Sequence, residues 1–176
     1  MTREAHLVEL VDVDGHQTGT ASVTEAHTEP GHLHRAFSVL LFDPDGRTLF
    51  QQRSSTKTRF PLRWANTCCG HPQPGIPVVD AAAQRLAEEL GVTGVTLEDV
   101  GVYTYRAADE ATGRVEHEYD HVIIGRVPAD LPVTPDPAEV STIRWATPSE
   151  VAADVLGPDF APWVAGVLPI AVAAIS

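Results

Sequence analysis

The chain has 176 residues, 43% hydrophobic and 20% charged, with a formal net charge of −12 at pH 7. That length suits one domain, residues 1–176, with a core of its own, and the composition is globular rather than disordered. The acidic balance excludes non-specific attachment to nucleic acid or anionic membranes, yet a small anionic ligand can still be held if the few basic side chains gather in one place.

The start, MTREAHLVEL, lacks a basic-then-apolar leader. Leu7–Val13 alternates like a strand, and Ala36–Phe42 with Thr48–Gln52 flanks DPDG, a hairpin signal. Val78, Val79, Ala82, Ala83, Leu86 and Leu90 recur at helical spacing, and Gly91 supplies a left-handed stop. Val95–Arg106 and Arg114–Val127 read as strands around the turn ADEATG, and the proline-rich Pro128–Pro137 reads as a surface loop. A strand near Ile143–Trp145 precedes Thr147, Pro148 and Glu150, which open a short helix with a capping box. The apolar tail Trp163–Ile175 is too short to span a bilayer and contains Pro169. Hairpins with helices interspersed predict an α/β (α+β) fold, a mixed sheet sandwiched between helices.

Two cysteines stand side by side in TCCGHP, Thr67–Pro72, and neighbouring residues make a poor disulfide. Unbridged thiols fit a reducing compartment, so a cytoplasmic location is expected. One reading makes both small buried apolar residues; the other makes Cys69 a working thiol, beside a glycine that permits close backbone approach. Spacing leaves the two open. His27 and His34 lie seven apart around a Pro-Gly turn, His71 follows the cysteines, and Glu116 and Glu118 project from one face of a predicted strand. Two carboxylates on one face repel, so either a divalent cation compensates them or the strand tip is solvated. Three histidines with two carboxylates would suit Mn, Mg, Fe or Zn rather than a closed four-ligand zinc site.

Taken together, AHTEPGHLHRAFS (Ala26–Ser38), QQRSSTK (Gln51–Lys57), WANTCCGHP (Trp64–Pro72), EELG (Glu88–Gly91) and VEHEY (Val115–Tyr119) resemble the type I isopentenyl-diphosphate delta-isomerases, in order and spacing, from about Leu7 to Trp163. The resemblance implies a Nudix-like fold and a double-bond shift by proton addition and removal, turning isopentenyl diphosphate into dimethylallyl diphosphate. It implies Cys69 and Glu118 as the proton-handling pair, Tyr105 as relay and Trp163 against the cation; the Glu118 side is favoured as acid and the Cys69 thiolate as base, and the sequence leaves open which delivers and which removes the proton. It further implies His27, His34, His71, Glu116 and Glu118 around Mn, Mg or Zn, a Mg ion between Glu89 and the substrate diphosphate, and Arg53, Lys57 and Arg85 at that diphosphate. The expected partner is thus a small prenyl diphosphate, with no nucleic acid and no membrane span.

The sequence departs from the family pattern at Val23, where a lysine is usual, at PLRW (Pro61–Trp64), where a PGVW-like turn is usual, and at Ile76, where glutamate is common. These changes leave room for a diverged homologue that protonates another prenyl alkene, for example a cyclase. A Nudix hydrolase needs a glutamate-rich box, and aligned on Gly70 this chain offers Ile76, Gln84 and Arg85 there, keeping only Glu88 and Glu89. A non-catalytic metal-binding module is the remaining rival.

Overall fold

Ala36–Phe42 is apolar at every position but Ser38, and a strand that is hydrophobic on both faces belongs in the middle of a layered structure. In the computed structural model, which describes residues 2–176, this run lies in strand β3 (His34–Phe42), the centre of a mixed sheet. β1 (Leu7–Val11) and β2 (Gln17–Ser22) form an antiparallel pair that joins β3 at Leu10 and His34. β4 (Thr48–Arg53) leaves β3 through the DPDG turn and pairs with the short β5 (Trp64–Ala65). β6 (Cys68–Gly70) runs antiparallel to β3, placing Cys69 opposite Ser38. β8 (Arg114–Arg126) runs parallel to β3 from His34↔Glu118 to Phe42↔Arg126, and also pairs antiparallel with β7 (Leu97–Asp109). β9 (Val140–Ala146) completes the sheet beside β4.

Alternation along β3 and β8 divides the core in two. Leu40, Phe42, Val122 and Ile124 point to one face and are covered by α4 (Val164–Ile175) through Val164, Val167 and Leu168. Val39, Leu41 and Ile123 point to the other and meet α2 (Val78–Leu90) through Ala82, Leu86 and Leu90. Burying each of the larger side chains contributes ~1.5–3 kcal/mol. The expected mixed sheet between helices is therefore present. Gly91 ends α2 at φ 64, and the proline-rich stretch then returns as a loop whose Thr134 and Asp136 amides donate to the carbonyls of Leu90 and Glu89. α3 (Pro148–Val151) carries the expected capping box. Among the described residues no helix is long and apolar enough to cross a membrane.

Four elements had no periodic signal. β2 is polar and half exposed, so partner β1 rather than a buried face defines it. α1 (Val23–Ala26) is a single turn started by a capping box between Ser22 and Glu25. β5 and β6 are too short to show alternation. Gly70 in β6 is obligatory for contact, because a Cβ there would stand 2.7 Å from the Phe37 ring.

The PLRW departure has a backbone consequence: Leu62 sits at φ 62, a left-handed conformation that favours glycine, and Phe60 nearby is at φ 46. The loop tolerates this because Leu62 donates its amide to the Arg53 carbonyl and its own carbonyl accepts from Gln52 Nε2. Leu62→Gly is expected to raise stability by about 0.5–1 kcal/mol, the ~1–2 kcal/mol left-handed penalty less the entropic cost of glycine. Chemical denaturation checks this, and an unchanged or lower midpoint would contradict it.

Candidate active site

Positions two apart on a strand share a face, so His34 and Ser38 on β3 line up with Glu116, Glu118 and Asp120 on β8 on the face that deeper in carries the α4-side core. β6 adds Cys69 opposite Ser38, and β7 adds Tyr105 opposite Glu118. The same alternation splits the cysteine doublet: Cys68 is fully buried in the α2-side core, while Cys69 faces the site.

At the floor, His27, His34, His71, Glu116 and Glu118 each present a ligand atom, all within 4.8 Å of one another. His27 donates Nδ1–H to the Val23 carbonyl at 2.7 Å and His34 donates Nδ1–H to the His32 carbonyl at 2.8 Å, which turns both Nε2 atoms inward. Among the described residues, His34 Nε2 is buried without a hydrogen-bond partner. A buried lone pair aimed at two carboxylates and two other imidazoles fits a divalent cation, and this five-residue group could bind one. Glu89 stands outside the group, its carboxylate accepting from Gln51 at 2.9 Å, ion-paired to Arg85 and 3.6 Å from Lys57.

Positive side chains balance this buried acid. Arg59 donates Nε–H to Glu116 at 3.1 Å and Nη1–H to Glu4 at 3.1 Å. Burial opposes a charge on His27, but Glu116 at 3.0 Å and neighbouring Glu118 outweigh it and raise its pKa to about 9. His71 goes the other way: burial takes it down to about 3 despite its bond to Glu118. Burial also works against an ionised Glu118, yet the imidazoles of His27, His34 and His71 around it hold its carboxyl well below the usual range.

Above the floor lies a cavity of about 600 Å³, lined on one side by Cys69, Tyr105, Glu118 and Trp163 and on the other by Arg53, Lys57 and Arg85. Tyr105 donates Oη–H to Glu118 at 3.1 Å. Cys69 Sγ lies 3.3 Å from Asn66 Oδ1 and 3.6 Å from Ser38 Oγ; burial and the Asp120 carboxyl push its thiol up to about 12. Both members of the expected proton-handling pair, Cys69 and Glu118, thus face one cavity.

The basic side is already paired. Glu139 contacts Lys57, accepts from Arg85 at 2.9 Å and lies 3.3 Å from Arg3, and these cations overcome burial to bring it down to about 2. Arg53 donates to the carbonyls of Arg59 and Phe60 and lies 5.3 Å from the Trp163 ring, so it braces the loop and the indole while facing the cavity. Arg63 turns away to the Pro158 carbonyl. Val23 is buried against Val8 and Ala26 at the cavity edge, where no cation can stand.

Sequence reasoning missed Ser38, Asn66, Asp120 and Glu139. Asp120 was within reach of the pattern, being two beyond Glu118; it is fully buried, Oδ2 accepting from Ser38 at 2.7 Å and Oδ1 without a partner among the described residues. Burial and the nearby Glu118 raise its pKa well above the usual carboxyl range.

A histidine ligand must be neutral, so a cation entering this floor displaces the proton held on His27. Affinity for Mn or Mg is therefore expected to rise with pH up to about 9, close to tenfold per unit where a single proton is released. Calorimetric titration at pH 7 in buffers of differing ionisation enthalpy should detect that proton; affinity independent of pH between 6 and 8 would contradict it.

Residues 32–167 match the NUDIX domain family. The chain is 61% identical over 169 residues to an isopentenyl-diphosphate Delta-isomerase of Nocardia farcinica, covering 95% of each protein. It is 47% identical over 170 residues to the enzyme of that name from Streptomyces coelicolor, covering 97% of this chain and 85% of that one. Among solved structures, a Deinococcus radiodurans protein superposes with a TM-score of 0.76 at 19% identity, covering 94% of this chain and 99% of that one. A Nudix hydrolase from M. smegmatis superposes at 0.61 with 18% identity over 96% of each, a likeness of fold alone. With these matches spanning the thiol, the carboxylates and the histidine floor, the chain belongs to the isopentenyl-diphosphate Delta-isomerase family, on a NUDIX domain.

Proposed function

We propose that this protein converts isopentenyl diphosphate into dimethylallyl diphosphate, acting as a single domain over residues 1–176 in the cytoplasm. The observation that carries the reading is that one cavity has the Cys69 thiol and the Glu118 carboxylate on its walls, above a floor able to hold a divalent cation. Relatives at 47–61% identity bear the isomerase name. Two adjacent free thiols suit a reducing compartment.

An unactivated alkene is a feeble base, and protonating it requires an acid placed within contact and water kept out. In this reading Cys69 Sγ–H gives its proton to the terminal alkene carbon, leaving a tertiary cation at the branched carbon. Glu118 then takes a proton from the neighbouring methylene, and the double bond forms there. When product leaves, Glu118 gives its proton to water and the Cys69 thiolate takes one from water, which restores the starting state; Tyr105 donates Oη–H to Glu118 and orients its carboxylate. Trp163, 2% exposed and packed at 5.7 Å against Phe60, presents a ring that favours a desolvated cation by ~2 kcal/mol.

Bound among His27, His34, His71, Glu116 and Glu118, Mn, Mg or Zn would supply positive charge that keeps Glu118 ionised and oriented. Lys57 and Arg85, with Arg53 beside them, hold the diphosphate as point-charge and forked donors, and Glu89 lies behind them on the side where Mg would accompany the substrate.

Incubation with isopentenyl diphosphate in deuterated water should yield dimethylallyl product carrying solvent deuterium; absence of that product would refute the substrate. Cys69→Ala and Glu118→Gln are each expected to lower kcat ~10²–10⁴-fold, with Cys69→Ala retaining its metal content. Lys57→Ala and Arg85→Ala should instead raise KM by about 10-fold or more, the loss of a charge-assisted bond of ~1.5–3 kcal/mol.

A further inference from the structure

Asn66 lies fully buried between β5 and β6, and both ends of its amide are engaged twice. Nδ2 donates to the carbonyls of Val39 at 3.1 Å and Cys68 at 3.0 Å. Oδ1 accepts from the Cys69 thiol at 3.3 Å and from the Trp163 indole N–H at 2.9 Å. Turning the amide over would set donors against donors and carbonyls against a carbonyl, forfeiting all four bonds in a place water does not reach. Oδ1 is thus a fixed point, anchored through Nδ2 to the central strand β3 and to β6.

Two groups are referred to that point. Cys69 stands three residues from Asn66, whereas Trp163, at the start of α4, is 97 residues away in sequence. The other contacts of the indole, with Phe60, Tyr105 and Arg53, are ring contacts, less directional within the ring plane than a hydrogen bond. The N–H···O bond fixes the ring along that plane. Among the described residues, the second hydrogen-bond partner of Cys69 is Ser38, at 3.6 Å.

We propose that Asn66 is a positioning residue for the isomerisation: its amide oxygen holds the Cys69 sulfur and the Trp163 indole in register with one another. The inference rests on the isomerase reading above and adds to it how the proton-bearing wall and the cation-facing wall are kept in step. If Asn66 served only to stitch β6 to β3, its Nδ2 bonds would matter and its Oδ1 bonds would not.

The test uses the full chain loaded with Mn or Mg. Asn66→Ala should lower kcat on the order of 10²-fold, the cost of misplacing a reacting group by about 1 Å, while KM and metal content stay within about threefold. Trp163→Phe deletes the indole N–H and leaves the Nδ2 bonds in place; in this variant the rate at which iodoacetamide alkylates Cys69, followed by mass spectrometry, should change by about threefold or more. Phe60→Leu loosens packing on the same indole without touching Asn66 and should leave that rate unchanged. The losses in kcat from Asn66→Ala and Trp163→Phe should be non-additive when combined, since both break one link.

A folded Asn66→Ala protein with kcat near wild type, additive losses, or equal alkylation changes in Trp163→Phe and Phe60→Leu would each overturn the proposal. Should Asn66→Ala fail to fold, the alkylation comparison decides alone. That comparison needs no turnover, so a wild-type protein inactive on isopentenyl diphosphate would sink the substrate reading without being mistaken for failure of the Asn66 link.

Discussion

Glu116 and Glu118 point the same way from one buried strand, and most of the site is organised around that repulsion. Each is less than a tenth exposed, so solvent does little to separate their charges. The fold answers with three inward-facing imidazoles and with Arg59, drawn from a loop more than fifty residues earlier. A divalent cation in the same place would satisfy the carboxylates more compactly, and the unpartnered Nε2 of His34 is turned toward that position. A floor able to hold a divalent cation is therefore a consequence of strand alternation coupled to burial, and the Glu118 carboxylate that faces the cavity is one of the residues that build it.

The basic side follows the opposite logic. A chain of net charge −12 can receive a diphosphate only where its cations are concentrated, and here Lys57, Arg85 and Arg3 converge on Glu139 while Glu89 waits behind them. The cations are ordered before any ligand arrives, which lowers the entropy lost on binding. The proline-rich loop takes part in this arrangement: capping the last carbonyls of α2 through Thr134 and Asp136 brings the chain back so that Glu139 lies over Arg85. Where the family resemblance led one to expect a lysine, Val23 packs with Val8 and Ala26, and the anion must rely on the remaining cluster.

The dry side depends on apolar burial. Cys69, Tyr105 and Trp163 share a wall whose burial raises the thiol and the phenol above their ordinary values, so both remain protonated in the resting site. The thiol, the phenol and the indole thereby share a wall from which water is largely kept out. The same burial explains why single-residue contacts such as those of Asn66 carry weight, since groups cut off from water have few other partners.

The helix over 78–90, the hairpin at DPDG, the long strands on either side of ADEATG and the capping box at Thr147 were legible because hydrophobic periodicity and turn chemistry are local properties. The paired carboxylates were legible for the same reason: alternation on a strand fixes which residues share a face. The sequence motifs also marked Cys69 over Cys68, which β6 then separates onto opposite faces. What no local signal could give is which distant groups complete the site. Arg59 reaches Glu116, Glu139 gathers Lys57 and Arg85, and Asn66 joins Cys69 to Trp163, each across a separation in sequence closed only by packing. Protonation states belong with these, since the pKa of a buried group is set by the charges and dipoles that tertiary structure brings around it and by the water it removes.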